Sequence, residues 1–123
     1  MKTRGELEAA ISQAVIRFEK EVLGRGPVET RTYLIEDMVL VRLRNVLIPA
    51  EIKLVEVEDP TRGRDLVKAL RRQLFEQGRP VLEAAIREIT GVEVRSMHTD
   101  ISTRTGERVI VFTLGETPTV RPG

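Results

Sequence analysis

One order of predicted elements occurs twice in this chain, and this repeat limits the possible folds more than any other feature. The tripeptide Ala-Ala-Ile occurs at 9–11 and at 84–86, each time within a helical pattern that a glycine ends. In both halves a Val-Glu pair follows, then a strand that carries an arginine, a turn and an apolar strand. A repeat of whole elements predicts repeated structural units. We therefore expect an α+β fold in which tandem α-β-β repeats form a single four-stranded antiparallel sheet with helices mainly on one face.

The first helix has clear start and stop signals. Thr3 and Glu6 have the spacing of a capping box, and Gly24 can adopt the left-handed conformation that ends a helix. Between these signals the apolar residues recur at helical spacing and fall within about 80° on a helical wheel. They are Leu7, Ile11, Ala14, Val15, Phe18 and Val22.

The segment 29–45 alternates in hydrophobicity with a period of two, which predicts a two-faced hairpin. We place its turn at Glu36 and Asp37. Counting parity along the chain puts Leu34, Met38 and Leu40 on the outer face of this hairpin. The same count gives an inner face made of Tyr33, Ile35, Val39, Val41 and Leu43.

Two further helical patterns follow. Pro49 is expected to begin a short helix, with Glu51 near its positive end. The pattern from Arg64 to Thr90 is helical, but Gly78 and Pro80 predict a kink or a break because proline lacks a backbone donor and clashes with the preceding turn. Its first apolar stripe is Leu66, Val67, Leu70 and Leu74, and its second is Val81, Leu82, Ala85, Ile86 and Ile89.

The C-terminal part of the chain predicts a second hairpin, with its turn at 103–106, and a tail. The tail from 116 to 123 is polar and contains proline, so we expect it to be disordered and residues 1–115 to form a single domain. In this scheme the sheet face that carries no helix has four apolar residues, which are Leu34, Leu40, Val109 and Val111. A second copy of the chain is the simplest cover for them, and we expect a homodimer.

Composition excludes several classes of function. The chain has 123 residues, a formal net charge of +1 and no cysteine, which excludes disulfides, thiolate chemistry and Cys-based metal sites. Its single histidine is a poor basis for a metal site, so we expect no metal and no cofactor. No apolar run approaches the roughly 20 residues of a membrane span, and the N-terminus lacks the apolar middle of a signal peptide. We expect a soluble cytoplasmic protein that reaches a membrane only through a partner.

The single histidine, His98, lies in the polar stretch 96–108. On an extended strand His98 points the same way as Ser96 and Asp100, so the carboxylate could orient the imidazole as a general base. The competing interpretation is a polar strip that binds a small anion or a partner, and we favour it. The candidate ligand- or partner-binding residues are Ser96, His98, Asp100, Arg95, Thr99, Thr103 and Arg104, together with Arg25 and Gly26 of the Gly-Arg-Gly-Pro turn.

A basic helical segment offers a third interpretation. Arg64, Lys68, Arg71 and Arg72 fall on one face with Phe75 among them, which could bind nucleic acid. Base-stacking platforms are scarce, however, because aromatic residues make up 3% of the chain. A solvated face balanced by the acidic segment 51–59 is the favoured explanation, and we do not expect nucleic acid to be a partner.

Two stretches resemble a known family. Residues 18–51, which contain the Gly-Arg-Gly-Pro turn, and residues 97–114, which begin Met-His-Thr-Asp-Ile-Ser-Thr and continue to Gly-Glu-Arg, are similar to the bacterial MpsC family. The resemblance runs from about Gly5 to Leu114. It implies association with a sodium-translocating, membrane-potential-generating system that is also linked to inorganic carbon uptake, and it assigns no reaction to this domain.

The favoured hypothesis is therefore a dimeric accessory or regulatory module of a membrane ion-translocating system, which binds a partner subunit or a small ligand. A small enzyme that uses His98 and Asp100 as an acid–base pair is the first alternative. A nucleic-acid-binding protein that uses the face from Arg64 to Arg72 is the second.

Overall fold

The computed structural model describes residues 1–24, 26–27, 29–56 and 60–123. Three helices and four strands form two layers, and the strand order β1-β2-β4-β3 is antiparallel throughout. This confirms the predicted α+β class and the four-stranded antiparallel sheet. The elements are α1 (Arg4–Leu23), β1 (Glu29–Ile35), β2 (Met38–Arg44), α2 (Pro49–Glu56), α3 (Pro60–Thr90), β3 (Val94–Ile101) and β4 (Arg108–Leu114).

The ends of α1 are those that the sequence predicts. The Thr3 hydroxyl accepts a hydrogen bond from the Glu6 amide at 3.1 Å, and the Glu6 carboxylate accepts one from the Thr3 amide at 3.0 Å. Gly24 closes the helix with a φ of 76° and donates its amide to the carbonyl of Lys20. The capping box and the glycine stop are thus confirmed, because both depend on local backbone groups alone.

The faces predicted for the first hairpin are right for β2, where Val39, Val41 and Leu43 are buried, and wrong for β1. Its two-residue turn pairs Ile35 with Met38, so residues of opposite parity face each other across the two strands. Leu34 therefore lies beside Val39 and is buried under the helices, whereas Tyr33 and Ile35 lie on the outer face and are 42% and 47% exposed. Counting parity straight through a turn of even length inverts the assignment of one strand.

The core lies between the helices and the inner face of the sheet. Val39, Val41 and Leu43 of β2 are fully buried there. From β4, Ile110 and Phe112 project to the same side and are also fully buried. The remaining large contributors come from the helices, and they are Leu7, Ile11, Val15, Phe18, Val67, Phe75, Leu82 and Ile86.

The short helix α2 begins at Pro49, as predicted. Glu51 in its first turn accepts a hydrogen bond from the Ile48 amide at 2.9 Å. The helix lies so close to α3 that a Cβ on Gly63 would meet the carbonyl of Leu54 and the backbone of Val55. Glycine at 63 therefore sets the distance between the two helices.

Of the kink or break predicted near Pro80, the break does not occur, since α3 runs as one helix of 31 residues. Pro80 removes a hydrogen bond to the carbonyl of Glu76, but both residues lie on an exposed face where water can satisfy that carbonyl. The predicted stripes are also partly wrong. Leu66, Leu70 and Val81 are exposed and do not belong to the core.

The tail 116–123, for which the sequence predicts disorder, runs beside the N-terminus. Arg121 donates its amide to the carbonyl of Lys2 at 2.9 Å, and its guanidinium lies 3.2 Å from the carboxylate of Glu6. Val120 packs against the core. The tail therefore has defined contacts with the start of α1.

Candidate functional site

The polar strip of β3 lies on the outer face of the sheet, at its edge. His98 is exposed and pairs with Val111 of β4, and Ser96 and Asp100 point to the same side. Among the described residues neither a hydrogen bond nor an ion pair joins His98 to Asp100. The shared direction predicted from the strand period is present, but the acid–base contact is not.

Asp100 is engaged elsewhere. Lys68 of α3 lies 3.2 Å from its carboxylate, which also accepts the backbone amide of Ile101 at 2.8 Å. Partial burial acts to raise the pKa of Asp100, but these two hydrogen bonds outweigh it and hold the pKa below its usual value. The carboxylate therefore stays charged and serves as an anchor for Lys68, with no geometry for orienting an imidazole.

The other candidate residues of β3 do not join the strip. Thr99 faces the helices, where its hydroxyl donates to the carbonyl of Val109 and accepts a hydrogen bond from Arg108, both at 2.8 Å. Arg95 is exposed and lies in the bulge between Val94 and Ser96. Thr99 thus belongs to the interior, and Arg95 lies at the far end of the strand from Asp100.

Thr103 and Arg104 form the turn between β3 and β4, and they help to line an open pocket of about 410 Å³. Arg64 and Lys68 of α3 supply the opposite wall. Arg104 has neither a hydrogen bond nor an ion pair within the described ranges, so it can meet an anionic group from outside. This pocket combines three of the predicted residues, Asp100, Thr103 and Arg104, with two that belonged to the proposed nucleic-acid face.

The Gly-Arg-Gly-Pro turn is distant from this strip. Gly26 lies between α1 and β1, where an added Cβ would be 2.9 Å from the Lys20 side chain. Because β1 and β3 are opposite edges of the sheet, Gly26 and His98 do not share a site. Arg25, also predicted as a binding residue, lies outside the described residues.

The predicted basic face of α3 is wrong for two of its members. Arg71 is only 2% exposed, and Phe75 is buried beneath it in the core. Arg64 and Arg72 remain exposed, and Lys68 is held by Asp100. The exposed face of α3 therefore carries fewer unpaired basic side chains than the sequence predicts.

Arg71 belongs to a buried charge cluster that the sequence did not predict. It donates to Glu51 through Nε at 2.7 Å and through Nη2, which also donates to the carbonyl of Val46. Glu19 lies 3.8 Å from Arg71 Nη1 and 3.6 Å from Arg108 Nε, with no hydrogen bond to either. The cluster joins α1, α2, α3 and β4, and its four members are Glu19, Glu51, Arg71 and Arg108.

The pKa values of the two carboxyls of this cluster are shifted in opposite directions. Burial raises the pKa of Glu19, although the charges of Arg108 and Arg71 partly offset the effect. Burial also acts on Glu51, but hydrogen bonds from Arg71 and the Ile48 amide outweigh it and lower the pKa of Glu51. Glu51 is the better-compensated carboxylate.

A sequence signal for this cluster was present. Arg71 follows Val67 by four residues and precedes Phe75 by four, so it sits in the core phase of α3. Arg108 continues the inward alternation of Ile110 and Phe112, and its guanidinium lies 4.6 Å from the Phe75 ring centroid. A charged residue on the core-facing side of a helix, together with another on the inward-facing side of a strand, indicates a buried ionic contact.

An open apolar surface lies on the outer face of the sheet. Tyr33, Leu40 and Val111 form a row across β1, β2 and β4, and His98 continues it on β3. In the next row Ile35 and Met38 pair with each other. None of the described helices covers these side chains, all of which are exposed or half-buried. Such a contiguous patch is suited to binding another protein surface.

No helix in the described part of the chain has the length and apolar character needed to cross a membrane.

Comparison with known proteins identifies the family. A family model described as a Na⁺-translocating membrane potential-generating system (MpsC) matches residues 3–116. The uncharacterized protein YbcI of Bacillus subtilis (strain 168) is 42% identical over 113 residues, which cover 92% of this chain and 89% of YbcI. No solved structure gives a significant match. The family model spans both hairpins, all three helices and the polar strip of β3, and the chain accordingly belongs to the MpsC family.

Proposed function

We propose that this chain is an accessory subunit of a Na⁺-translocating, membrane-potential-generating system and that it acts by binding a protein partner. The family description supplies the system. The geometry at His98 favours binding over catalysis, because the nearby carboxylate of Asp100 is committed to Lys68 and Ile101. We further propose that the subunit is a homodimer in the cytoplasm and that its partner holds it at the membrane.

The observation that carries this proposal is the uncovered outer face of the sheet. Four strands about 4.8 Å apart, each of seven or eight residues, present roughly 450 Å² of flat area. The side chains that project from the sheet make its accessible area larger than this flat area. For comparison, specific protein–protein interfaces bury about 800 Å² per partner. The face is therefore large enough to form most of a stable interface by itself.

The polar groups at the rim of this face can provide specificity. His98 and Ser96 lie along the β3 edge, and Arg31 on the opposite edge strand lies beside Arg42 of β2. Glu107 pairs with Arg42 at 2.6 Å. An apolar centre with a charged rim is the usual arrangement of a protein–protein interface.

A capture experiment tests the proposal. The tagged chain is incubated with detergent-solubilised membranes of its own organism, and retained proteins are identified by mass spectrometry. We expect an integral membrane subunit to be retained, and we expect the Ile35→Asp variant to lose it because a carboxylate then lies within the apolar patch. Gln13→Asp, at an exposed position on α1, is the matched control. Equal retention by Ile35→Asp, or no membrane subunit with the unmodified chain, would contradict the proposal.

A further inference from the structure

Two cavities adjoin at the turn between β3 and β4, and the same three side chains line both of them. The first cavity has a volume of about 410 Å³ and the second a volume of about 320 Å³. Arg64 of α3 lies on one side of this space, and Thr103 and Arg104 of the turn lie on the other. Two arginine side chains from distant parts of the chain therefore converge on one space.

The carboxylates that line the first cavity are compensated by other cations. Asp100 accepts a hydrogen bond from Lys68 at 3.2 Å, and Glu107 accepts one from Arg42 at 2.6 Å. Neither carboxylate forms an ion pair with the two arginines that line both cavities. The acidic residues of the first cavity therefore leave the charges of these two arginines uncompensated.

Arg64 and Arg104 have no strong partner elsewhere among the described residues. Arg104 is exposed and has neither a hydrogen bond nor an ion pair. Asp65 lies 3.6 Å from Arg64 Nε, and both side chains of this pair are more than half exposed, so water screens it and it contributes little. Two positive charges that line one space repel each other, and an anion bound between them would offset this repulsion.

Hydroxyl groups add further donors to the same space. Ser102 lines the first cavity, and its hydroxyl oxygen accepts the Thr105 amide at 3.2 Å, so the hydroxyl proton remains available to a ligand. The Thr103 hydroxyl has no hydrogen-bond partner in the described parts of the chain. The first cavity therefore offers two guanidinium groups and two hydroxyl groups to an anion.

This set of donors fits a phosphate group better than a carboxylate. A carboxylate has two oxygens in one plane, and a single guanidinium can bind both of them. A phosphate monoester has three terminal oxygens that point in different directions, so it can accept hydrogen bonds from two arginines and a hydroxyl at once.

The size of the first cavity indicates a ligand larger than the phosphate ion. Its volume of about 410 Å³ lies within the range of roughly 300–1,000 Å³ that is usual for small-molecule sites. Ile101 and Val109 also line it and can contact an apolar part of the ligand. An organic phosphate therefore suits the cavity better than the inorganic ion.

We propose that the space between α3 and the β3–β4 turn binds a phosphate monoester, which Arg64 and Arg104 hold from opposite sides. Ser102 and Thr103 donate their hydroxyl protons to it. The site does not include the apolar patch of the outer sheet face, and it does not depend on a membrane subunit.

The phosphate group could belong to a soluble molecule or to a lipid headgroup, and the charges favour a soluble molecule. Glu107 lines the first cavity, and Glu56 lines a neighbouring cavity that shares Arg104 with it. Both carboxylates would be repelled by an extended anionic membrane surface. The formal net charge of the chain is only +1, so the whole molecule is not drawn to such a surface either.

Titration with inorganic phosphate at constant ionic strength, followed by heteronuclear NMR, tests the site. We expect saturable shifts of the amide signals of Arg64 and of residues 102–104, with a dissociation constant on the order of 1 mM for the bare ion. Arg64→Gln and Arg104→Gln should each weaken binding roughly tenfold, because each removes hydrogen bonds from a charged group. Arg95→Gln is the matched control, since it removes the same charge from an exposed position at the far end of β3.

Three results would overturn the site. Shifts that do not saturate, or equal weakening by Arg95→Gln, would describe general screening of a positive surface. Undiminished binding by the chain that carries both Arg64→Gln and Arg104→Gln would have the same meaning. Ile35→Asp should bind phosphate as the unmodified chain does, so the phosphate site and the sheet-face interaction can fail separately.

Two further probes identify the source of the phosphate group. Glycerol phosphate is titrated in the same way, and sedimentation measures retention on phosphatidylcholine vesicles with and without phosphatidic acid. We expect glycerol phosphate to bind more tightly than inorganic phosphate, and we expect phosphatidic acid not to increase retention. Retention on phosphatidic acid that Arg104→Gln abolishes would support the phosphate site and assign it to a lipid headgroup. Binding of neither probe would overturn the proposal.

Discussion

At the scale of single residues, the buried charge cluster is the main departure from an ordinary core. Arg71 and Arg108 compensate the carboxylates of Glu19 and Glu51, and all four are nearly inaccessible to water. Breaking a buried ion pair leaves an uncompensated charge and costs about 3–5 kcal/mol. The packing of α1, α2, α3 and β4 against one another therefore depends on the charges of these four side chains.

The two carboxyls of the cluster should differ in their effect on stability. Glu51→Gln removes the charge that compensates Arg71 and replaces one of its two acceptor oxygens by an amide donor, and we expect it to lower the free energy of unfolding by about 3 kcal/mol or more. Glu19→Gln should cost clearly less, because Glu19 has no hydrogen bond to either arginine. Urea unfolding at pH 7 measures both. Equal losses in the two variants would show that Glu19 is bound more tightly than its distances indicate.

The pH dependence of stability should also identify Glu19. Its pKa is raised in the folded chain, so its favourable contribution is present below its ordinary value of 4.5 and is lost as the pH rises through the folded pKa. Glu51 has a lowered pKa, so its contribution is present above 4.5 and is lost as the pH falls through the folded pKa. We expect Glu19→Gln to remove a decline in stability above pH 4.5. Chemical unfolding at a series of pH values tests this, and an unchanged profile would contradict it.

At the scale of elements, the local signals predicted the helix starts and stops well. The capping box of α1 and the first turn of α2 involve groups within three residues of each other. The face of each strand was harder, because it depends on the register across a turn. The predicted break in α3 failed because Pro80 lies on an exposed face, which only the packing of the helix reveals.

The close approach of α2 to α3 gives a prediction at this scale. Gly63→Ala should lower the free energy of unfolding by about 1–3 kcal/mol, because the new methyl group meets the backbone of Leu54 and Val55. Gly5→Ala is the matched control, since nothing lies within 4 Å of that position, and it should raise stability by about 0.5 kcal/mol. Thermal melts of both variants provide the measurement. A neutral Gly63→Ala would mean that α2 can shift freely along α3.

At the scale of the whole molecule, the two ends of the chain meet. Thr3 and Arg121 form a parallel bridge, so the tail closes the domain beside α1. Removing residues 117–123 should cost about 1 kcal/mol, which lowers the melting temperature by roughly 3–5 °C in a chain of this size. Glu116→Ala, at an exposed position outside these contacts, is the control. A truncated chain with an unchanged melting temperature would support the disorder predicted from the composition of the tail.

The sequence by itself determined the fold class, the number of strands, both ends of α1, the start of α2, the end of α3 and the family. These depend on periodicity, on glycine and proline, and on short motifs that are read along the chain. It also placed Ser96, His98 and Asp100 on one side of a strand, because alternation in a strand is a local property. The polar strip was therefore predictable, and its lack of acid–base contact was not.

Only the tertiary structure decided which charges are buried and which apolar residues are exposed. Arg71 has a charged side chain of the kind usually found at the surface, but it is buried in the core. Leu66 and Val81 have apolar side chains of the kind usually found in the core, but they are exposed. Burial depends on what packs against a helix from distant parts of the chain, and a periodic pattern cannot specify that. The structure, by fixing those contacts, revealed the buried cluster, the open sheet face and the exposed apolar residues of α3.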